Sequence, residues 1–190
     1  MELKQPVLII VTGYPASGKT SLSRILCEKL PAPLFSKDSF KEKLFDILGS
    51  DGRAHSKALG WAAIEIMFGA AERVLAAGGV AIIESPLIAK LTNPWVRRME
   101  DEYACLTIQL IMDASPQELV KRFAERAQNG DRHPGHVAAE QTEELTEIVQ
   151  TPFTPITVSG LTMRIDANDM DAVDYDAIVA RVRDAVGLPV

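Results

Sequence analysis

Apolar positions in this chain change period from one segment to the next. Val7–Thr12 is an unbroken apolar run, rich in β-branched residues, that ends on a glycine turn. Such a run predicts a strand buried on both faces. From Gly18 to Leu30 the apolar residues Leu22, Ile25 and Leu26 fall at helical spacing, and Pro31 and Pro33 stop the helix. Pro33–Ser36 reads as a short second strand, and Ser39–Leu48 as a helix closed by Gly49. The longest helical pattern covers 56–77, with Ile66, Ala70 and Val74 on one face and Met67, Ala71 and Leu75 beside it. Gly78-Gly79 ends it with residues that tolerate left-handed geometry.

Val80–Ile83 is then a short, fully apolar strand. A helix is predicted over Asn93–Tyr103, with Pro94 in its first turn. Leu106–Met112 is the fourth strand. Ser115-Pro116-Gln117-Glu118 combines a cap, a proline at the first position and a glutamate three residues after the serine, so a helix begins there and runs to about Gln128. Asn129-Gly130-Asp131 is turn-like, and Val137–Gln150 reads as a further helix. Leu161–Ile165 is the fifth strand and Val173–Val186 the last helix. Strands that alternate with helices predict an α/β fold, a parallel sheet covered on both faces.

The turn after the first strand carries the chemistry. Residues 13–20 read Gly-Tyr-Pro-Ala-Ser-Gly-Lys-Thr, which satisfies G-x-x-x-x-G-K-[ST] at every fixed position. A buried strand precedes it and a helix follows, the setting that a P-loop (Walker A) motif requires. Glycines let such a loop wrap so that its amides point inward. Those amides and the positive end of the following helix hold nucleotide phosphates. The predicted cradle is Gly13, Tyr14, Pro15, Ala16, Ser17, Gly18, Lys19, Thr20 and Ser21. Lys19 reaches the β- and γ-phosphates, and the Thr20 hydroxyl meets Mg²⁺.

Further residues point to phosphoryl transfer. Asp38 follows the second strand, and ligands of open α/β sheets bind outside the carboxyl ends of strands. A carboxylate there can take the proton of an acceptor hydroxyl, although Asp at a helix start is also a common cap. Glu84 ends the third strand and is a candidate Mg²⁺ partner or acceptor-orienting group. Arg122 and Arg126 share a helical face and repel unless an anion compensates; the triphosphate is one candidate and Glu118 another. Arg132-His133-Pro134-Gly135-His136 has the character of a lid tip, where an arginine would neutralise charge on the transferring group. Arg126 and Arg132 are the catalytic candidates and Arg122 the nucleotide-binding one. His133 and His136 lack the further ligands a structural zinc needs.

Composition narrows the field. The chain has 190 residues, 47% hydrophobic and 24% charged, which predicts one domain over 1–190. No apolar run approaches the roughly 18 residues a membrane span needs, and the short polar start followed by Val7–Val11 is no signal-peptide core. We expect a cytoplasmic protein. Cys27 and Cys105 make no disulfide framework and read as buried apolar side chains. A net charge of −6 disfavours nucleic acid as a partner.

With its P-loop, Lys37-Asp38-Ser39 and the Arg-His-Pro-Gly-His segment in this order, the chain resembles the nucleoside-monophosphate-kinase-like branch of P-loop proteins. It is most similar to the small kinases grouped with chloramphenicol phosphotransferase, zeta toxins and AAA_33-type kinases. The resemblance runs from about Val7 to Val186. It implies a three-layer P-loop NTPase sandwich with a five-stranded parallel sheet in the order 2-3-1-4-5 and a helical lid over about 122–140. It implies Asp38 as acceptor base, lid arginines that clamp phosphates, and Asp166-Ala167-Asn168 beside the nucleobase. ATP rather than GTP is what the resemblance implies, and the Asn-Lys-x-Asp base reader of a GTPase is not found in the sequence.

The leading expectation is therefore an ATP- and Mg²⁺-dependent kinase, monomeric or homodimeric, acting on a small-molecule hydroxyl. A polynucleotide 5′-hydroxyl kinase and a non-enzymatic ATP-binding regulatory module are the alternatives.

Overall fold

The computed structural model describes residues 4–49, 51–128, 133 and 145–187. Strands β1 (Val7–Thr12), β2 (Leu34–Ser36), β3 (Val80–Glu84), β4 (Leu106–Asp113) and β5 (Thr162–Asp166) form one sheet. Every pairing is parallel, as the alternation of strands and helices predicts, and the order is β2-β3-β1-β4-β5, as the resemblance implies. β1 lies at the centre, paired with β3 on one side and β4 on the other. All of its residues are buried, which explains why it shows no polar alternation.

The alternate side chains of β1 feed two cores. Val7, Ile9 and Val11 pack with Leu22 and Leu26 of α1 (Lys19–Lys29) and with Ile178, Val179 and Val182 of the helix Tyr175–Val186. Leu8 and Ile10 pack on the opposite face against α3 (Gly52–Ala76), through Met67, Phe68 and Ala71, and α4 (Ala89–Tyr103), through Val96 and Met99. Helices on both faces of the sheet make the three-layer sandwich. The remaining helices are α2 (Lys37–Leu48) and α5 (Pro116–Gln128), and the last helix, Tyr175–Val186, is α6. Residues 145–148 are helical and 149–150 form a turn, while 137–144 of the predicted 137–150 helix lie outside the described residues.

Four helix starts differ from expectation, α6 by beginning at Tyr175 rather than Val173 because Asp174 caps it. α2 begins at Lys37, so Asp38 is its second residue and Ser36 occupies the capping position. α3 begins at Gly52, because Gly-Arg-Ala-His at 52–55 carries no apolar period. α4 begins at Ala89, which places Pro94 inside the helix rather than in its first turn. Proline there removes one N–H bond, to the carbonyl of Lys90. The burial of Ala89, Thr92, Val96 and Met99 on one face holds the earlier turn in place.

Gln109, fully buried in β4, ties the following chain to the sheet. Its side-chain amide donates to the Ile156 carbonyl (2.7 Å) and accepts from the Ile156 amide (2.9 Å).

Candidate active site

The strand order reverses at β1, and an open α/β sheet binds ligands in the crevice outside the carboxyl ends of strands at such a point. The P-loop leaves β1 there. Gly13 has φ +137°, and a Cβ at this position would lie 2.3 Å from the Met112 carbonyl oxygen. Gly18 has φ +94°, and a Cβ there would lie 2.6 Å from the Met170 side chain. Only glycine fits these two backbone positions. The amides of Lys19 and Thr20, which open α1, have no intrahelical acceptors, so they and the helix dipole suit an anion. The Ser17 hydroxyl is buried and has no hydrogen-bond partner among the described residues. A cradle with spare donors and glycine-only geometry fits a polyphosphate.

Lys19 is buried at 6% exposure, and its ammonium donates to the Tyr14 carbonyl (2.7 Å). Burial pushes its pKa down, while the carboxylates of Glu84 and Asp38 work against that shift and Arg126 and Lys37 add to it. Glu84 is likewise buried, at 4%. Burial raises its pKa, and Lys19 and the Ser36 hydroxyl, which donates to Oε2 at 2.8 Å, pull it back. The register explains the meeting: Glu84 lies beside Val11 of β1 and Ser36 of β2.

One cavity of about 200 Å³ is lined by Pro15, Ala16, Lys19, Thr20, Asp38 and Glu84, with Arg126 of α5 and Arg53 of α3. Five of the predicted chemical residues (Lys19, Thr20, Asp38, Glu84 and Arg126) therefore converge. Asp38 accepts from the Lys37 ammonium at 2.9 Å. α5 is held over the P-loop by an apolar cluster of Leu119, Phe123, Leu145 and Val149 around Ala16, which sets Arg126 at the cavity.

Arg122 faces elsewhere. Its guanidinium donates to the carbonyls of Ala167 and Asn168 (2.7 Å each) and to Glu118 (3.0 Å). It thus fixes the loop after β5, where the Ser115 amide also donates to the Asn168 side chain. Tyr14 donates its hydroxyl to the Thr151 carbonyl (2.6 Å) and meets Phe153 edge-on. Ser21 is exposed in the first turn of α1, its amide bonded to the Gly18 carbonyl. Arg132 and His136 lie outside the described residues. His133 contacts Asp46 of α2 at 2.9 Å and the ring of Phe45 edge-on.

Arg53 was not singled out from the sequence. No motif surrounds it, and only the return of α3 past the P-loop brings it to the cavity. Ser36 was missed for the same reason; its partner Glu84 is 48 residues away. A second cavity, between α3 and α4, likewise had no signal in the sequence.

The AAA_33 profile, an AAA domain, matches residues 8–152. No curated protein matches the chain. Among solved structures, a candidate kinase from Chloroflexus aurantiacus is 35% identical with a TM-score of 0.88, over 96% of this chain and 99% of that one. The APS kinase CysC of Mycobacterium tuberculosis, solved with AMPPNP and APS, is 14% identical with a TM-score of 0.61, over 98% and 99% of the two chains. Kti12 of Chaetomium thermophilum, solved with ADP-AlF3, is 20% identical with a TM-score of 0.57, over 94% and 98%. The latter two share the fold with this chain.

Proposed function

The chain belongs to the AAA_33 family, and from that premise we propose that it is a cytoplasmic kinase that transfers the γ-phosphoryl group of ATP to the hydroxyl of a small molecule. One observation carries this reading: Lys19, Thr20, Asp38, Glu84 and Arg126 line the same cavity at the strand tips. A nucleotide-binding regulator would need the P-loop but would have no use for a carboxylate facing it from another helix.

In this reading the amides of the P-loop hold the β- and γ-phosphates, and Lys19 neutralises them at short range. Thr20 and Glu84 would hold Mg²⁺, which when bound neutralises charge that develops between the β- and γ-phosphates. Ser36 orients the Glu84 carboxylate. Asp38 accepts the proton of the acceptor hydroxyl as its oxygen bonds to the γ-phosphorus and the bond to the ADP oxygen breaks. Arg126, Arg53 and, from the lid over about 122–140, Arg132 neutralise charge on the transferring group. Arg122 acts one step back, by fixing the loop that the family places beside the nucleobase.

The decisive variant is Asp38→Asn. Transfer from radiolabelled γ-phosphate ATP to a panel of hydroxyl compounds should fall by about 10²–10⁴-fold, with ATP affinity unchanged by calorimetry. Undiminished transfer would remove Asp38 as the base. A wild-type protein that binds ATP yet phosphorylates no hydroxyl would favour the regulator.

A further inference from the structure

The second cavity lies between α3 and α4, beside the loop that follows β3. It holds about 150 Å³ and is lined by Trp61 and Phe68 of α3, Leu91 and Trp95 of α4, and Pro86 and Leu87 of that loop. Phe68 and Trp95 stack at a tilt, with ring centroids 4.7 Å apart. Trp61 and Leu91 remain 53% and 46% exposed, so large apolar side chains face water at a preformed slot. Its neighbours are fixed in place: Arg98 of α4 pairs with Glu72 of α3, and the Leu87 amide donates to the Thr12 hydroxyl at the end of β1 (3.1 Å). An apolar cavity of about this size accommodates one six-membered ring.

This slot adjoins the catalytic site: Pro86 lines both cavities. Pro86 is two residues beyond Glu84, so the tip of β3 serves the reacting groups and the apolar slot together. Charge separates the two. Lys19, Arg53 and Arg126 line the phosphate cavity. Among the described residues, Glu65 is the one charged side chain lining the apolar slot. An anionic acceptor, such as a phosphorylated sugar or a nucleic-acid end, would meet a carboxylate and no cation there.

Resting on the phosphotransferase reading, we propose that the phosphoryl acceptor is a small uncharged alcohol with one apolar ring, and that the Trp61–Trp95 slot binds the ring. The ring is held in the slot while the hydroxyl extends past Pro86 towards Asp38. The alcohol oxygen bonds to the γ-phosphorus as the γ-phosphorus–oxygen bond to ADP breaks, and its proton passes to Asp38. The products are a phosphate monoester, ADP and a proton.

The chain contains two tryptophans, and both line this slot, so intrinsic fluorescence reads it directly. The full-length protein with Mg²⁺ and a non-hydrolysable ATP analogue is titrated with 2-phenylethanol, cyclohexylmethanol, glucose and glycerol 3-phosphate. The two ring alcohols should change the fluorescence saturably, and glucose and glycerol 3-phosphate should not. With ATP, Trp61→Ala should raise the KM for the ring alcohols at least tenfold while kcat changes less than threefold. Leu91→Ser, at a half-exposed position, should act in the same direction and covers the case in which the tryptophan variant folds poorly. Three results overturn the proposal. Fluorescence insensitive to both ring alcohols is one. Transfer to glucose as efficient as to the ring alcohols, with KM unmoved in both variants, is another, and it leaves the kinase reading intact. Saturable ring binding with no transfer to any alcohol is the third; there the kinase reading itself has failed.

Discussion

The ammonium of Lys19 and the carboxylate of Glu84 are both shut away from water, and each titrates in the direction that burial dictates. For Glu84 the fold prefers the protonated form. Its contribution to stability is full below its ordinary value of 4.5 and is lost as the pH rises through the higher folded value. For Lys19 the fold prefers the neutral amine. That contribution is full above 10.5 and is lost as the pH falls through the lower folded value. Burial makes the charged form of each group costly in the free protein, and the attraction between Lys19 and Glu84 offsets part of that penalty for both. The double variant Lys19→Met/Glu84→Gln should therefore melt at or above the wild-type temperature at neutral pH without nucleotide, and each single variant below the double. A double variant less stable than both singles would contradict this. Gly13 is the other residue with a sharp expectation. Alanine there combines a left-handed φ with a clash against the Met112 carbonyl. Gly13→Ala should lose about 2–5 kcal/mol in urea unfolding, and unchanged stability would contradict the cradle geometry.

At the scale of elements, the site depends on how the strand tips and helix starts are tied together. Ser36 ends β2, caps α2 in position and gives its hydroxyl to Glu84 of β3 instead of to the helix. Gln109 does comparable work within the sheet, since both halves of its amide are used by the Ile156 backbone. Gln109→Leu leaves a buried N–H and a buried carbonyl without their partner and should cost about 2–4 kcal/mol, read as a lower urea midpoint at unchanged slope. ATP affinity should survive, because Gln109 lies away from the cavity's lining. The central strands β1, β3 and β4 were legible in the sequence because parallel burial on both faces leaves an apolar run that local composition reveals. Helix starts were less so. Ile88 caps α4 without any side-chain bond, and Pro94 drew the predicted start inward.

For the whole molecule, ligand binding and folding are linked. Anything held by the P-loop in the folded state only will raise the melting temperature by mass action. At a hundredfold excess over Kd, Mg²⁺-ATP should stabilise the protein by about 2.7 kcal/mol, or about 5–10 °C for a chain of this size. Lys19→Ala should abolish most of that rise in a thermal-shift measurement, and an undiminished rise would place the nucleotide elsewhere. Among the described residues no helix is long and apolar enough to cross a membrane.

The P-loop and the order of elements were written in the sequence, because both are encoded locally. A strand's burial shows in its run of apolar residues, and a phosphate cradle shows in glycines at fixed offsets. The parallel sheet followed from that alternation, and its strand order from the resemblance that the P-loop, Lys37-Asp38-Ser39 and the Arg-His-Pro-Gly-His segment carried. Helical period placed Arg122 and Arg126 on one face, but it could not say what each would meet. Packing decided that: the cluster around Phe123 sets Arg126 at the cavity beside the P-loop, while the loop after β5 takes Arg122 through its carbonyls. Arg53, the Ser36–Glu84 bond and the Trp61–Trp95 slot likewise join residues far apart in the chain, and only the folded arrangement of α3 and α4 around the tip of β3 brings them together.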